Sequence, residues 1–190
     1  YDDPVEGLKF ILSPPLRAKE HQEAIWQGIK DGTLQVIATD HCSFDFHGDK
    51  QNGKDDFTKC PNGAPGVETR MPIVFSEGVS KGRLSLNEFA AVTSTNPAKI
   101  FGMYPKKGVL APGSDADIVL MNPDMEVTIT KNILHENVDY TPYEGIQVKG
   151  WPVMTMVRGQ AVVENERLQV PLGFGRYINR KPVKYTELLK

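Results

Sequence analysis

The first forty residues alternate between apolar runs and a helical pattern, and this order constrains the fold more than any other feature. Residues 8–12 and 34–38 are short apolar runs, and residues 18–30 between them carry apolar side chains at helical spacing. A strand, a helix and a strand at this spacing predict a βαβ unit with parallel strands covered by helices. Two parallel strands cannot close a barrel or bury both faces of a sheet. We therefore expect either a longer protein or another molecule to complete the sheet.

Two further helices and a long loop are predicted before residue 102. The helical patterns cover residues 71–80 and 85–94, and Ser85 with Glu88 fits a capping box at the start of the second. Residues 43–66 form a polar loop rich in turn residues. Loops of this length inside a compact domain are usually functional or disordered.

The pattern changes to short strands separated by turns after residue 102. We predict strands at 108–110, 116–121, 126–130, 153–157 and 160–163, the last two joined as a hairpin by Arg158 and Gly159. The tail from Pro171 contains further glycine and proline and predicts an extended arm. The chain thus divides into an α/β part at 1–102, a β-rich part at 103–170 and an arm at 171–190.

The charge balance argues against nucleic acid and membrane partners. Lys and Arg number 22 against 24 Asp and Glu, a net charge of −2, so the chain has no basic footprint for phosphate groups. Apolar runs of the length that a membrane span needs do not occur in the sequence. Two cysteines cannot build a disulfide scaffold, and this low number predicts that the protein resides in the reducing cytoplasm.

Asp40 is the strongest candidate for a catalytic or metal-ligating residue, because it directly follows the second predicted strand. In (β/α)8 barrels the carboxyl ends of the strands carry the catalytic groups. An aspartate there can act as an oxygen ligand to a divalent metal and as a proton acceptor. The alternative is that Asp40 caps the turn after the strand, and spacing alone leaves both interpretations open.

The other chemistry-bearing side chains give weaker signals. His41 and His47 are six residues apart, which fits no zinc-ligand spacing, so we predict that neither binds metal. Cys42 and Cys60 lack a marked partner base and are predicted to be small buried apolar groups.

A recognition function is indicated for two loop positions. Asn62 lies between Pro61 and Gly63, where its main-chain N–H and C=O can face a ligand, and Ser13 precedes two prolines after the first apolar run. Backbone groups recognise amides and imides well, since each residue supplies one donor and one acceptor. Ordinary turn structure is the alternative for both positions.

Several motifs together resemble dihydropyrimidinases and D-hydantoinases of the cyclic amidohydrolase superfamily, in the same order along the chain. They are LSPPLR (12–17), TDHC (39–42), GKDDFTK (53–59), PNG (61–63) and GVETRM (66–71). TNPAK (95–99) and LAPGSDAD (110–117) resemble the wider superfamily. The resemblance implies the C-terminal part of a metal-dependent (β/α)8 barrel, followed by a β-sandwich segment and an extended tail.

The resemblance also implies an activity, the hydrolysis of a cyclic amide in dihydropyrimidines or hydantoins. In the family, two zinc ions are bridged by a hydroxide and a carbamylated lysine. The aspartate at the position of Asp40 ligates one zinc, takes the proton of the hydroxide and passes it to the leaving nitrogen. The residues at Ser13 and Asn62 bind the ring amide through their main chain. The family also implies a homo-oligomer, a dimer or a tetramer.

The chain departs from the family pattern in its metal ligands. The His-x-His pair, the bridging lysine and two further histidines of the family lie upstream of the residues present, and His41 and His47 do not replace them. The chain alone is therefore expected to be inactive. Three alternatives remain: a non-enzymatic scaffold like the collapsin response mediator proteins, another amidohydrolase such as allantoinase or dihydroorotase, and a β-rich binding module.

Overall fold

Helices fill much of the first hundred residues of the structure, a computed structural model that describes residues 2–183. Helix α1 spans Gln22–Lys30 and is preceded by a 3-10 turn at Lys19–His21. Helix α2, Arg70–Val74, continues into a π-helical turn at Phe75–Ser80. Helices α3, Leu86–Ala90, and α4, Asn96–Ile100, are joined by a π-helical turn at Ala91–Thr95. Further 3-10 turns lie at Glu6–Phe10, Lys50–Gly53, Phe57–Lys59 and Lys131–Ile133.

The three predicted helices are confirmed, and so is the capping box that begins α3. The Ser85 hydroxyl accepts the N–H of Glu88 at 3.2 Å, and the Glu88 carboxylate accepts the N–H of Ser85 at 2.7 Å. These bonds satisfy two of the amide donors that the first turn of a helix leaves without intrahelical partners.

The strands predicted at 8–12, 34–38 and 108–110 are wrong for the described residues. Glu6–Phe10 is a 3-10 turn, and residues 34–38 and 108–110 have no strand assignment. A strand needs a neighbouring strand for its backbone groups. Instead, Ile37 donates its N–H to Val92 O at 3.1 Å, and its carbonyl accepts the Arg70 guanidinium at 2.9 Å. Apolar content could not supply the sheet partners, and of these three segments the structure fully buries Leu8 alone, while Leu34 and Leu110 are exposed.

The β-rich part forms one four-stranded antiparallel sheet, β1 to β4 in chain order. Its strands are Ile118–Thr128, Gln147–Val157, Gln160–Glu164 and Arg167–Leu168. The strands predicted at 116–121 and 126–130 are a single strand, β1, whose register shifts between Asn122 and Glu126. The hairpin between β2 and β3 is confirmed, and Arg158 and Gly159 both have positive φ, as a type I′ turn requires.

The sheet packs on the helical part through α2 and its π-helical extension. Gly150 of β2 has a φ of 101°, and a Cβ atom there would lie 2.2 Å from the Phe75 ring. The Ser76 hydroxyl accepts the N–H of Lys149 at 3.0 Å. Glycine at position 150 therefore allows the aromatic ring to lie directly against the strand.

The tail of the described chain runs along the rest of the molecule. Residues 171–183 contain no helix or strand. The Arg158 guanidinium lies over the Phe174 ring and donates to its carbonyl at 2.9 Å, and Lys181 donates its N–H to Gly102 O at 2.9 Å. The predicted arm extends to residue 190, and its last seven residues lie outside the described residues.

Candidate functional site

Ser13, Asp40 and Asn62, the three predicted site residues, line one cavity of about 580 Å³. They come from segments that are far apart in the sequence, so the fold and not the local chain brings them together. The other lining residues are mainly apolar: Phe10, Leu12, Leu16, Thr39, Cys42, Gly63, Ala64, Pro65, Pro142, Tyr143 and Ile146.

Asp40 presents a carboxylate that has no hydrogen bond or ion pair within residues 2–183. Its φ is 49°, in the left-handed region that aspartate tolerates better than most residues. The capping interpretation does not describe this side chain, because the Thr39 hydroxyl accepts the N–H of His41 at 3.2 Å. The Asp40 carboxylate is exposed and lines the cavity, where it can take a ligand or a proton.

Ser13 and Asn62 are linked through their side chains, which leaves their main-chain groups for other partners. The Ser13 hydroxyl donates to Asn62 Oδ1 at 3.0 Å across 49 residues of sequence. Within the described chain, no backbone hydrogen bond uses the N–H or C=O of either residue. This geometry is suitable for the recognition of an amide, which needs one donor and one acceptor.

Glycine at position 63 allows the loop that carries Asn62 to reach the segment after Asp40. Gly63 has a φ of 147°, and a Cβ atom there would lie 2.3 Å from the carbonyl oxygen of Cys42. The N–H of Gly63 donates to Ile11 O at 3.1 Å, and the N–H of Cys42 donates to Ala64 O at 3.3 Å. Backbone bonds therefore fix the three site segments against one another.

His41 and His47 are engaged in contacts that hold loops. Nδ1 of His41 accepts the N–H groups of Gly66 and Val67 at 3.1 and 3.3 Å. Nδ1 of His47 lies 2.7 Å from Asp139 Oδ2. Burial alone would raise the pKa of Asp139, but donors from the backbone of His47 and Phe46 and from the His47 ring lower it. Both histidines thus join the long loop to other parts of the chain.

The described residues supply one of the protein ligands that a zinc site would need, the carboxylate of Asp40. Catalytic zinc takes three protein ligands and a water. Among residues 2–183, no group of three or more His, Cys, Asp or Glu side chains could hold a metal ion. Asp40, a free carboxylate on a cavity wall, is suitable as a single oxygen ligand, so further ligands would have to come from other residues.

The sequence interpretation missed the contribution of the β-rich half to this cavity. Pro142, Tyr143 and Ile146 form part of the wall, and burial raises the pKa of the Tyr143 hydroxyl. No spacing in the sequence relates these residues to Asp40. The predicted burial of Cys42 is wrong, because its side chain is exposed beside the cavity, whereas Cys60 is buried as predicted.

A second cavity, of about 450 Å³, lies against the sheet and contains none of the predicted site residues. Its wall is mostly apolar and includes Trp151 and Met154, and its ionisable groups are Glu68, His135 and Glu166. The Glu68 carboxylate lies 2.7 Å from Nδ1 of His135, and this hydrogen bond raises the pKa of the imidazole. Glu166 also contributes its main-chain oxygen, which lies 3.1 Å from Nε2 of His135. This cavity therefore holds a histidine that is already bonded on both ring nitrogens, and it lacks the combination of Asp40, Ser13 and Asn62 found in the first.

The helices of the described chain are too short or too polar to cross a membrane.

Comparison with known proteins relates the chain to one group of enzymes. The model of the amidohydrolase family matches residues 7–162. The chain is 48% identical over 184 residues to a D-hydantoinase of Geobacillus stearothermophilus, covering 97% of the chain and 39% of that protein. It is 47% identical over 180 residues to a D-phenylhydantoinase of Escherichia coli O1:K1, covering 95% and 39%.

The fold agrees with these sequence relationships. The crystal structure of a dihydropyrimidinase from Brevibacillus agri NCHU1002 matches with a TM-score of 0.92 and 50% identity, covering 94% of this chain and 39% of that one. The chain therefore spans about two fifths of the length of the relatives that it matches. The matched family and these relatives show that this chain belongs to the amidohydrolase family, in its dihydropyrimidinase and D-hydantoinase group.

Proposed function

We propose that the whole protein containing this chain hydrolyses the ring amide of dihydropyrimidines or hydantoins to give N-carbamoyl amino acids. One observation carries the proposal. A single cavity combines the free carboxylate of Asp40 with the unengaged main-chain groups of Ser13 and Asn62. The named relatives are a D-hydantoinase, a D-phenylhydantoinase and a dihydropyrimidinase, which favours this class of substrate.

In the proposed reaction, Ser13 and Asn62 bind the ring amide through their main-chain groups and orient its carbonyl toward Asp40. Asp40 accepts a proton from the attacking water and then donates it to the ring nitrogen as the C–N bond breaks. One carboxylate can do both, because the proton that it gains in the first step is the proton that the leaving nitrogen needs. The apolar wall near Leu16 and Ile146 would face the carbon part of the ring.

Asp40 would also be one of the ligands of a site for two zinc ions, and the further ligands, a carbamylated lysine among them, would come from residues other than those described. Bound zinc supplies Lewis-acid activation of the water and of the scissile carbonyl. We further propose a cytoplasmic homo-oligomer, a dimer or a tetramer, that acts on small cyclic amides or imides.

The test is to measure ring opening of dihydrouracil and of a 5-substituted hydantoin with the whole protein and its variants. Asp40→Asn keeps an oxygen ligand but cannot accept the proton, so turnover should fall by about 10²-fold or more. Asp55→Asn is the matched control, because Asp55 is an exposed aspartate of the loop that follows Asp40 and is not among the residues that line the cavity. An Asp40→Asn enzyme within about threefold of the parent would exclude the base function. A parent that opens neither ring would contradict the proposed activity.

A further inference from the structure

Lys50 is completely buried in the long loop between Asp40 and α2, although a lysine side chain is normally charged and solvated. Its relative exposure is 0%. Lysines are rarely buried to this extent unless a carboxylate pairs with them. Within residues 2–183, no carboxylate forms an ion pair with Lys50, and burial lowers the pKa of its ammonium.

Two backbone carbonyls take the place of a carboxylate. The Lys50 ammonium donates to Ile11 O at 2.7 Å and to Pro61 O at 2.8 Å. Ile11 lies two residues before Ser13, and Pro61 lies immediately before Asn62. A single nitrogen atom is therefore bonded to both chain segments that carry the predicted substrate-binding groups.

Burial of an apolar side chain of similar volume at this position would cost less desolvation free energy than burial of a lysine. Two carbonyl dipoles replace only part of the hydration energy of an ammonium group, whereas a methionine side chain has no charge to desolvate. The ammonium, unlike an apolar side chain, donates two hydrogen bonds, and these bonds restrain the distance between Ile11 O and Pro61 O. The Gly63 N–H, which donates to Ile11 O at 3.1 Å, is the one backbone bond between these segments among the described residues.

We propose that Lys50 is a positioning residue that holds the 11–13 and 61–63 segments at the separation at which Ser13 and Asn62 bind a ring amide. The substrate-binding part of this inference rests on the proposed function. Lys50 does not line the cavity, so it acts through the two segments and not on the substrate.

The first test compares the steady-state kinetics of Lys50→Met and Lys54→Met in the whole protein. Lys54 is the matched control, since it is an exposed lysine four residues away in the same loop. In Lys50→Met, KM for dihydrouracil should rise about tenfold with kcat within about threefold, because the lost orientation weakens binding before and during reaction alike. Lys54→Met should leave both constants within about twofold of the parent.

The kinetic pattern separates positioning from general stability. A protein that is only partly folded loses active sites, so its apparent kcat falls while KM stays the same. That pattern in Lys50→Met, or parental values of both constants, would overturn the proposal. If Lys50→Met does not fold, Lys50→Arg gives the result, because a larger group must push the two carbonyls apart. Raised KM in Lys50→Arg supports the proposal, and a parental KM overturns it.

Hydrogen exchange gives a readout that does not depend on activity. In Lys50→Met the amide of Gly63 should exchange faster than in the parent, while the amides of α3 should keep their protection. Equal acceleration in α3 would assign Lys50 to general stability, and unchanged exchange at Gly63 would show that it does not hold the segments. If the parent opens no ring, the proposed function fails, but the exchange comparison still decides whether Lys50 joins the two segments.

Discussion

The sheet at 118–168 and the site segments at 8–66 hold their backbones in different ways. In the sheet, neighbouring strands satisfy each other, as in the ladder from Ile118 opposite Met156 to Thr128 opposite Gln147. In the site segments, individual hydrogen bonds between residues distant in sequence satisfy the backbone groups. Examples are the bond from the Gly63 N–H to Ile11 O and the bond from the Lys50 ammonium to Pro61 O. A strand ladder contains many equivalent hydrogen bonds, whereas the site segments are joined by a few individual contacts.

This difference shows which half depends on the rest of the protein. In the β-rich half, each strand from β1 to β4 is hydrogen-bonded to a neighbouring strand of the same half. The apolar segments at 8–12 and 34–38 have the composition of buried strands but find no strand partners within the described chain. The predictions below test this contrast, beginning with the largest expected effect.

The largest effect is expected when the 190-residue chain is prepared alone. Because the described residues offer one carboxylate where catalytic zinc needs three ligands, this chain should hold no stoichiometric zinc and open no hydantoin or dihydrouracil ring. Elemental analysis and a ring-opening assay on one preparation measure both properties. About two zinc ions per chain together with turnover would show that the chain builds a site of its own, with His41 and His47 as the first candidates.

The junction between the two halves should be the next most sensitive. Phe75 is 4% exposed, lies against Gly150 and packs edge to face with Phe89. Phe75→Ala should therefore lower the free energy of unfolding of the whole protein by about 3–5 kcal/mol, measured by urea titration. Phe57→Ala is the control, because Phe57 is 74% exposed, and it should change stability by less than about 1 kcal/mol. Equal losses in the two variants would contradict the assigned junction.

A smaller effect, confined to the substrate site, is expected from changes at the tip of the long loop. In Gly63→Val the new Cβ would lie against the carbonyl of Cys42, so the loop must move and kcat/KM should fall by about 10²-fold. Asn62→Ala loses one exposed hydrogen bond to Ser13 but keeps its main-chain groups, so kcat/KM should fall by less than about tenfold. The reverse order of the two losses would show that the Asn62 side chain recognises the substrate.

The smallest effect concerns the ion pair between Glu68 and His135, which joins the two halves. The Glu68 hydrogen bond and charge raise the pKa of His135 in the folded protein. The pair therefore contributes its full stability below the unfolded pKa of histidine, and this contribution is lost as pH rises through the folded pKa. His135→Gln should lower the urea midpoint more at pH about 5.5 than at pH about 9. His21→Gln is the control, because His21 is exposed and forms no ion pair with any residue of the described range 2–183. A pH-independent loss in His135→Gln would contradict the assignment.

The sequence predicted most of what depends on neighbouring residues. The capping box at Ser85 and the turn at Arg158 and Gly159 are local devices, and both are present. The same reasoning failed at residues 8–12, because an apolar run does not show which backbone will pair with the segment.

The candidate site divides in the same way. The chemistry of their residue types and the family motifs identify Asp40, Ser13 and Asn62 as site residues, and both are present in the sequence itself. Only the tertiary structure decides that these three residues surround one cavity. It also decides that Tyr143 forms part of the cavity wall and that the ammonium of Lys50 is buried. The physical reason is that burial and contact across a hundred residues depend on how elements pack, and no periodicity within a single segment records that packing.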